Sequence, residues 1–517
     1  MKLNYATYLD KVRGCWAGKN IGGTLGAPME GNMNMQNVTF YTQELNGVPA
    51  PNDDLDLQLV WLGAVETRGI DQITPGLLGE YWDQCIIAPC SEYSICKMNI
   101  AQGFMPPLSG AVNNDTFKYS NGAWIRSEIW ACLCPGAPDE AIRFGYIDSC
   151  ADHCEEGIWA EMFTCALESA AFVCDDVRTI IEIALSKIPA DSELAKAVVR
   201  AMECYDNKMP WQDARQALMK EFNVKTHRAA VNIGFVIIGL LYGEGDFDKS
   251  ICTAVNCGDD TDCTGATVGA LFGIMRGRSG IPQRWLDPIG ESISTICISH
   301  FPFNFIYGLP KTLEALSMRT AKAALAFSAI NPLLATITGG ESEISAEEIE
   351  KLKGSEAAGR LLKLPLYYQD YPLPWSSTLR VEYVNGPVKL PGDKMPMKFY
   401  ITDSVHTNAV FTLRWKNLPE NWSAEPRALT CSLRADCQTM VATELTVGDL
   451  NDVMTDIELE ISMLGRRQTY TVKLPVQLKN TVSYNVYSES NQSYRCRTRI
   501  MAGKNADAKL DAGIPQM

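Results

Sequence analysis

The spacing of apolar residues divides the chain into two parts with different periodicities. In the first part, apolar positions recur every three or four residues, with long examples at residues 161–173, 178–187 and 192–203. This period is typical of helices that bury one face. Segments rich in glycine and proline, such as residues 135–138, separate these stretches. Since alternating patterns are scarce here, we expect residues 1–330 to form an all-α domain.

The pattern changes after this domain. Residues 331–375 contain an acidic stretch and several prolines, which predicts a linker with a short helix. Farther on, apolar and polar residues alternate with a period of two, which favours half-buried β-strands. The alternating segments are residues 379–384, 397–401, 410–415, 457–463 and 469–474. We therefore predict a multidomain protein with an immunoglobulin-like β-sandwich over residues 376–500 and a polar, poorly ordered tail over residues 501–517.

Composition narrows the classes of function. The 517 residues include 61 acidic and 46 basic side chains, and the formal net charge is −15. Binding to nucleic acid or to an anionic membrane requires a basic face, so we expect neither partner. The longest apolar run, residues 229–242, is too short to cross a bilayer and predicts a buried helix. The chain begins without an apolar secretion signal, from which we expect a cytoplasmic protein.

The chain contains 18 cysteines. Most of them lie in apolar, helix-like segments, as Cys165 and Cys174 do. We therefore expect buried, reduced thiols rather than a disulfide framework.

Two sets of glycines recur every four residues. They are Gly14, Gly18, Gly22 and Gly26, and then Gly265, Gly269, Gly273 and Gly277. Each interior glycine costs a helix roughly 1 kcal/mol relative to alanine, so these repeats need a compensating interaction. A helix face without side chains lets another backbone come very close, and close packing alone is a sufficient explanation for either set. Lys11, Arg13 and Lys19 argue against a helix pair inside a membrane.

Acidic residues stand near one end of each glycine set. Asn52, Asp53 and Asp54 open one apolar, helix-like run, and Asp260 and Asp262 open the run that carries the second glycine set. A single acidic pair at such a place is most often a helix N-cap favoured by the helix dipole. Two such pairs together indicate carboxylates gathered at one end of a helical bundle, where cations relieve their repulsion. Oxygen ligands favour Mg²⁺ or Mn²⁺ over zinc.

The order of these motifs resembles that of one protein family. A GxxxGxxxGxxLGAPxE segment ends at Glu30, an Asn-Asp-Asp helix start follows at residues 52–54, and then come Asn-Gly at 121–122, His153 and Gly-Asp-Asp-Thr-Asp at 258–262. This order is similar to that of the ADP-ribosylglycohydrolase family, which includes the dinitrogenase reductase-activating glycohydrolase. The resemblance implies an all-α domain that binds two Mg²⁺ or Mn²⁺ ions. It also implies that these ions hold the ribose hydroxyls of ADP-ribose while its glycosidic link is hydrolysed.

The resemblance covers about residues 8–330 and implies roles for particular side chains. The metal ligands that it implies are Asn52, Asp53, Asp54, Asp260 and Asp262. The catalytic residues that it implies are Glu30, Asp54 and Asp260, with Glu30 as the carboxylate base. The substrate contacts that it implies are Asn121, Gly122 and His153. Cys263 stands where the family usually has Thr or Ser, and a thiol is a poor ligand for Mg²⁺, so one of the two ions is less firmly held.

Alternatives stay open at this point. Taken alone, Asn121 and Gly122 are also a turn signal, His153 is also a satisfied core residue, and Asp148 and Asp152 are equally surface groups. The function that we expect is metal-dependent hydrolysis of the glycosidic bond between ADP-ribose, or a related ribosyl group, and a protein or small-molecule acceptor. One alternative is a glycoside or nucleoside hydrolase that acts on another furanoside. The other is a non-catalytic ADP-ribose-binding protein.

Overall fold

Two compact units make up the part of the chain that the computed structural model describes. The described residues are 1–87, 91–222, 227–298, 308–403, 405, 408–434, 438–450 and 452–481, with the backbone of 485–488 and 493–496. One unit, the helical unit, comprises Met1–Ala88 and Thr116–Leu364, and the other, the β unit, comprises Pro89–Asp115 and Pro365–Met517. The domain boundaries drawn from the sequence stay a prediction, and the predicted tail lies outside the described residues.

Helices account for most of the helical unit. In chain order, the helices of the described residues are α1 (Tyr5–Gly26), α2 (Asp53–Arg68), α3 (Pro75–Cys85), α4 (Ser91–Ala101), α5 (Leu108–Ala111), α6 (Glu128–Leu133), α7 (Pro138–Ser149), α8 (Glu156–Ala171), α9 (Val177–Leu185), α10 (Glu193–Asp206), α11 (Trp211–Glu221), α12 (Ala229–Tyr242), α13 (Phe247–Asn256), α14 (Thr261–Arg276), α15 (Gln283–Leu286), α16 (Leu313–Ile330), α17 (Ala346–Lys351) and α18 (Glu356–Leu361). Helices α4 and α5 belong to the β unit.

The helical character predicted for the first part of the chain is confirmed. The three long periodic stretches correspond to α8, α9 and α10, and the apolar run of residues 229–242 is the buried helix α12. Among the described residues, no helix is both long and apolar enough to cross a membrane. The helical unit also contains a short parallel pair of strands, β1 (Lys2–Asn4) and β2 (Thr336–Thr338), which joins the start of the chain to the segment after α16.

Two five-stranded sheets form most of the β unit. Its strands are β3 (Tyr368–Leu373), β4 (Ser377–Tyr383), β5 (Val388–Lys389), β6 (Lys394–Asp403), β7 (Ala409–Lys416), β8 (Ser423–Glu425), β9 (Ala428–Leu433), β10 (Thr439–Thr446), β11 (Met454–Met463), β12 (Thr469–Leu478), β13 (Asn485–Ser488) and β14 (Ser493–Cys496). One sheet has the order β3-β4-β6-β10-β8 and the other β5-β12-β11-β7-β9, while β13 and β14 pair with each other. Neighbours are antiparallel, except that β5 and β12 are parallel.

The buried faces of the two sheets share one hydrophobic core. Phe399 of β6 and Trp415 of β7 meet in it with ring centroids 5.9 Å apart. All five alternating segments predicted from the sequence are strands, namely β4, β6, β7, β11 and β12. An immunoglobulin-like arrangement of these sheets stays a prediction. The same core also includes Phe104 and Leu108, from the segment between α4 and α5 and from α5 itself.

The cysteine prediction is confirmed for the described residues. No disulfide joins two of the fifteen cysteines with described side chains, and all of them but Cys252 are buried. They act as small apolar groups in the packing of both units.

Candidate metal centre

Helices α1 and α14 run antiparallel with their backbones in contact, because glycines face each other along the interface. A Cβ atom added to Gly18 would lie 1.9 Å from the carbonyl oxygen of Gly269. A Cβ atom added to Gly22 would lie 1.9 Å from the carbonyl oxygen of Gly265. No side chain fits at these positions without separating the helices. The backbone that the glycines were predicted to admit is therefore that of the other glycine set.

This packing brings the C-terminal end of α1 to the N-terminal end of α14. The hydroxyl of Thr261, the first residue of α14, donates a 2.8 Å hydrogen bond to the carbonyl oxygen of Gly26, the last residue of α1. Glu30 lies just beyond α1, and Asp260 and Asp262 flank Thr261. The end of a helix with free N–H groups also favours nearby negative charge.

Helix α2 brings the other acidic stretch to the same end. Asn52 is its N-cap, and its side-chain oxygen accepts a hydrogen bond of 2.7 Å from the backbone N–H of Asp54. The Asn52 amide lies against Gly23 of α1, where an added Cβ would approach its nitrogen to 2.3 Å. Asp53 is half-buried and Asp54 is fully buried. The glycine face of α1 thus holds the start of α2 in place.

Asp54, Asp262 and Cys263 form the inner group of the centre. All three are buried, and their candidate ligand atoms lie within 4.8 Å of one another. The thiol of Cys263 donates to Oδ1 of Asp54 at 3.3 Å. Oδ1 of Asp262 is buried and has no hydrogen-bond partner among the described residues. This group therefore offers two carboxylates and a thiol to a cation.

Glu30, His227 and Asp260 form the outer group. Their candidate ligand atoms also lie within 4.8 Å of one another, with Glu30 exposed, His227 half-buried and Asp260 buried. Oδ2 of Asp260 accepts a 2.6 Å hydrogen bond from the Asn121 amide. Its Oδ1 is buried without a hydrogen-bond partner in the described part of the chain. His227 belongs to no motif, so no local signal indicated that it lies in this group.

The carboxylates of the two groups repel one another. Burial first, and then the charges of Asp260, Asp54 and Glu30, raise the pKa of Asp262 well above its ordinary value. Burial also raises the pKa of Asp54, with Asp53 and Asp260 adding to the effect against the opposing charge of Lys19. A bound cation reverses such shifts, because it favours the ionised form of each ligand.

Lys19 supplies a positive charge from the protein itself. It is a buried residue of α1. Its Nζ lies 3.4 Å from Oδ2 of Asp54 and 2.7 Å from Oε1 of Glu128. It also donates to the carbonyl oxygen of Ile125 at 2.6 Å. Burial alone would lower its pKa, but Glu128 and Asp54 raise it above the ordinary value. Lys19 therefore stays charged and compensates part of the negative charge of the inner group.

Asp259, the first aspartate after Gly258, supports the residues of the centre rather than belonging to either group. Asp259 has a left-handed backbone, with φ of 66°, which costs energy in any residue except glycine. Its carboxylate accepts hydrogen bonds from the backbone N–H of His227 at 3.0 Å and from the Asn232 amide at 2.9 Å. Asp259 thus fixes the backbone that carries His227, while Asp260 and Asp262 belong to the two groups.

The predicted substrate-contact residues occupy different environments. Asn121 lies at the centre, where it donates to Asp260 and accepts from the Trp124 indole N–H at 3.0 Å. The carbonyl oxygen of Gly122 accepts a hydrogen bond from the Arg126 guanidinium. His153 is fully buried, with Nδ1 2.9 Å from Asp152 and Nε2 3.1 Å from the Ser120 hydroxyl. Contact between substrate and these residues stays a prediction.

A second buried acidic cluster surrounds Arg126. Its guanidinium lies 2.8 Å from Asp148 and 2.7 Å from Asp152, and all three side chains are inaccessible to solvent. The interpretation of Asp148 and Asp152 as surface groups is therefore wrong. Glu161 is buried beside them, and burial followed by the charge of Asp148 raises its pKa well above the ordinary value. We call these four residues the Arg126 cluster.

The helical unit and its acidic centre define the class of protein. A family model described as ADP-ribosylglycohydrolase matches residues 4–322, more than half of the chain. The chain therefore belongs to the ADP-ribosylglycohydrolase family, as the resemblance in its motifs indicated. The matched segment contains every residue of the inner and outer groups.

A relative extends this comparison. An uncharacterized protein from Archaeoglobus fulgidus is 24% identical to this chain over 330 residues. The similarity covers 60% of this chain and 99% of that relative. The rest of this chain thus has no counterpart in it.

Proposed function

We propose that the protein is a divalent-metal-dependent hydrolase that cleaves the glycosidic bond between ADP-ribose, or a related ribosyl group, and its acceptor. One observation carries the proposal. The Oδ1 atoms of Asp260 and Asp262 are buried among further carboxylates, and among the described residues neither has a hydrogen-bond partner. Such oxygens are costly to bury without a cation or a donor. The family supplies the class of reaction, and its substrates suggest an ADP-ribosylated protein or a small ADP-ribosyl or furanosyl compound.

The residues of the centre fit divalent cations. The outer group offers two carboxylates and an imidazole, and the inner group two carboxylates and a thiol. Among the ligands predicted from the sequence, Asp54, Asp260 and Asp262 belong to these groups, and Asn52 and Asp53 stand beside them. When bound, divalent ions orient hydroxyl groups and lower the pKa of a water molecule.

The side chains around the ligands have separate tasks in this proposal. Asn121 holds one oxygen of Asp260 by its 2.6 Å hydrogen bond and so fixes the direction of the other. Lys19 orients Asp54 in the same way. Glu30 is exposed as a residue, but its carboxyl group stands close enough to the centre that partial loss of solvation, followed by the charges of Asp260 and Asp53, raises its pKa. A carboxylate at the opening is suited to accept a proton from water and to stabilise the positive charge that develops on the sugar.

Replacement of the buried aspartates tests the proposal. We expect Asp260→Ala and Asp54→Ala to lose Mn²⁺ binding in calorimetry and the release of ADP-ribose from ADP-ribosylated arginine and serine peptides. Asp191→Ala, which changes an exposed aspartate of the same unit, should retain both. Unchanged turnover by the Asp260→Ala protein would contradict the proposal.

Glu30→Ala tests the carboxylate proposed as the base while leaving every ligand of the inner group in place. Because Glu30 is exposed, the variant should fold and retain a cation at the inner group. Its rate should fall by about 10²- to 10⁴-fold, the usual contribution of a general base. A rate within a factor of two of the wild type would assign the base to another residue.

The same assays distinguish the two alternative functions. Hydrolysis of furanosyl glycosides without hydrolysis of ADP-ribosylated peptides would indicate a different furanoside as substrate. Tight binding of ADP-ribose in the presence of Mn²⁺, with no product formed from any substrate, would indicate a binding protein.

A further inference from the structure

The inner group has an unusual set of ligands for a magnesium site. Mg²⁺ prefers oxygen ligands in octahedral geometry, and a thiol is a poor ligand for it. The inner group nevertheless places the sulfur of Cys263 within 4.8 Å of candidate ligand oxygens of Asp54 and Asp262. Only 6% of the Cys263 surface is exposed, so the thiol belongs to the interior of the centre.

The hydrogen bonds of Asp54 direct one of its oxygens toward this sulfur. Its Oδ2 faces Lys19 Nζ at 3.4 Å, and its Oδ1 accepts from Cys263 Sγ at 3.3 Å. The two oxygens therefore have different partners, one a fixed cation and the other a thiol. A metal that replaces the thiol proton would find Oδ1 and Sγ on the same side of Asp54.

The second observation comes from Asp262. Only 6% of Asp262 is exposed, and its Oδ1 has no hydrogen-bond partner among the described residues. This oxygen belongs to the same residue that completes the inner group with Asp54 and Cys263. Lys19 contacts Asp54 and Glu128, and the ion pairs between described residues include none to Asp262.

We propose that Cys263, Asp54 and Asp262 bind a first-row transition-metal ion of the Zn²⁺ type, and that the thiol selects this ion over Mg²⁺ at the inner position. This inference rests on the proposed function in one respect, namely that the centre binds divalent cations. Zn²⁺ accepts sulfur and carboxylate ligands together in a tetrahedral site, to which the inner group would contribute three protein ligands, with water at the fourth position. On binding, the thiol proton passes to solvent and the thiolate forms the bond to the metal.

Cobalt substitution tests the inference without measuring activity. The full-length protein is stripped with a chelator and titrated with Co²⁺, and the near-ultraviolet absorption is recorded, because a thiolate ligand gives a charge-transfer band. The variants are Cys263→Ser and a matched control, Cys174→Ser. Cys174 is 8% exposed, close to the 6% of Cys263, and lies outside both groups. Calorimetry with Mn²⁺ shows whether each variant retains a cation at the outer group.

The inference predicts the band in the wild-type and Cys174→Ser proteins and its absence in Cys263→Ser. The affinity of Cys263→Ser for Zn²⁺ should also fall by about 10- to 100-fold or more, since even supporting residues of metal sites have effects of that size. X-ray absorption of the zinc-loaded wild-type protein, which needs no variant, should show a sulfur neighbour at about 2.3 Å.

Two other outcomes separate this inference from the proposed function. If the wild-type protein binds Co²⁺ without the band, or if Cys263→Ser keeps the band, the thiol is not a ligand and the inference fails while the metal-dependent function stands. If the wild-type protein binds neither Co²⁺ nor Mn²⁺, both the inference and the proposed function fail.

Discussion

The helical unit contains two buried acidic assemblies that handle their charge in different ways. In the Arg126 cluster, a fully buried guanidinium lies within 2.8 Å of both Asp148 and Asp152. In the candidate metal centre, the buried cation Lys19 contacts Asp54 and Glu128. Asp260 and Asp262 each keep one buried oxygen without a hydrogen-bond partner in the described part of the chain. Asp148 and Asp152 therefore share a cation of the protein, although both oxygens of the neighbouring Glu161 also lack a hydrogen-bond partner among the described residues. Asp260 and Asp262 lie among other carboxylates, and a divalent cation is the partner proposed for them.

This difference distinguishes the aspartates that are paired with a buried guanidinium from those that are proposed to bind a metal. A buried charge with a good partner is costly to disturb, because removal of one member leaves the other uncompensated. Carboxylates that face one another without a partner destabilise the protein until a cation binds, and functional sites often carry such a cost. Replacements in the two assemblies should therefore change stability in opposite directions.

The largest effect should come from removing the guanidinium of the Arg126 cluster. Arg126→Met leaves Asp148 and Asp152 buried without their cation, and we expect the free energy of unfolding to fall by about 3–5 kcal/mol. The matched control is Arg360→Met, because Arg360 pairs with Glu356 on the surface, where such pairs contribute about 1 kcal/mol or less. Urea unfolding measures both. Equal losses in the two variants would show that the Arg126 cluster is not a structural ion pair.

Local signals in the sequence were sufficient for much of this comparison. The two glycine sets predicted a close approach of backbones, and each added Cβ at Gly18 or Gly22 would indeed meet the opposite helix at 1.9 Å. The motif order then indicated that Asp54, Asp260 and Asp262 converge. Periodicity also predicted the main helices and strands, since one buried face per element leaves a repeating pattern.

Long-range contacts were not predictable in the same way. In the sequence, Lys19 argues only against a membrane helix, because nothing near it shows that Glu128, 109 residues away, lies 2.7 Å from its amine. His227 has no motif of its own, and its backbone is fixed by the distant Asp259. Residues 89–115 likewise belong to the β unit, although they are far from its strands in the sequence, and Phe104 and Leu108 pack in its core. Such pairings leave no periodic pattern.

The next largest effect concerns the backbone contact that holds the metal centre together. Gly18→Ala adds a Cβ that would lie 1.9 Å from the carbonyl oxygen of Gly269, so α1 and α14 must separate. We expect a loss of about 1–3 kcal/mol, as for other overpacked cores, together with weaker Mn²⁺ binding. The same substitution at Gly76 of α3, which has no atom within 4 Å of the added Cβ, is the control and should change stability by less than about 1 kcal/mol. If the two variants behave alike, the glycine sets do not hold the centre.

A smaller effect, dependent on pH, should appear at Asp152. Burial alone would raise its pKa, but the charges of Arg126 and His153 outweigh burial and hold the pKa at about 2, below the ordinary value of 3.8. Because the folded state holds the proton less tightly than the unfolded state, Asp152 stabilises the protein above pH 3.8 and loses this contribution as the pH falls toward 2. The difference in unfolding free energy between the wild type and Asp152→Asn should therefore shrink by about 2 kcal/mol over that interval. A difference that stays constant with pH would contradict the ion pair.

The smallest effect, and the one with the opposite sign, should come from Asp262→Asn. The amide removes a buried carboxylate that Asp260, Asp54 and Glu30 repel, so the metal-free protein should become more stable by up to about 1 kcal/mol. The variant should also lose most of the increase in Tm that Mn²⁺ gives the wild type, since ligand binding stabilises only the state that binds. Asp152→Asn is the paired experiment in the Arg126 cluster, because Arg126 and His153 hold the pKa of Asp152 below its ordinary value, and it should lower Tm with or without Mn²⁺. If Asp262→Asn also lowers the Tm of the metal-free protein, the Asp262 carboxylate is stabilised by a partner within the protein. The two assemblies would then not differ in how their carboxylates are compensated.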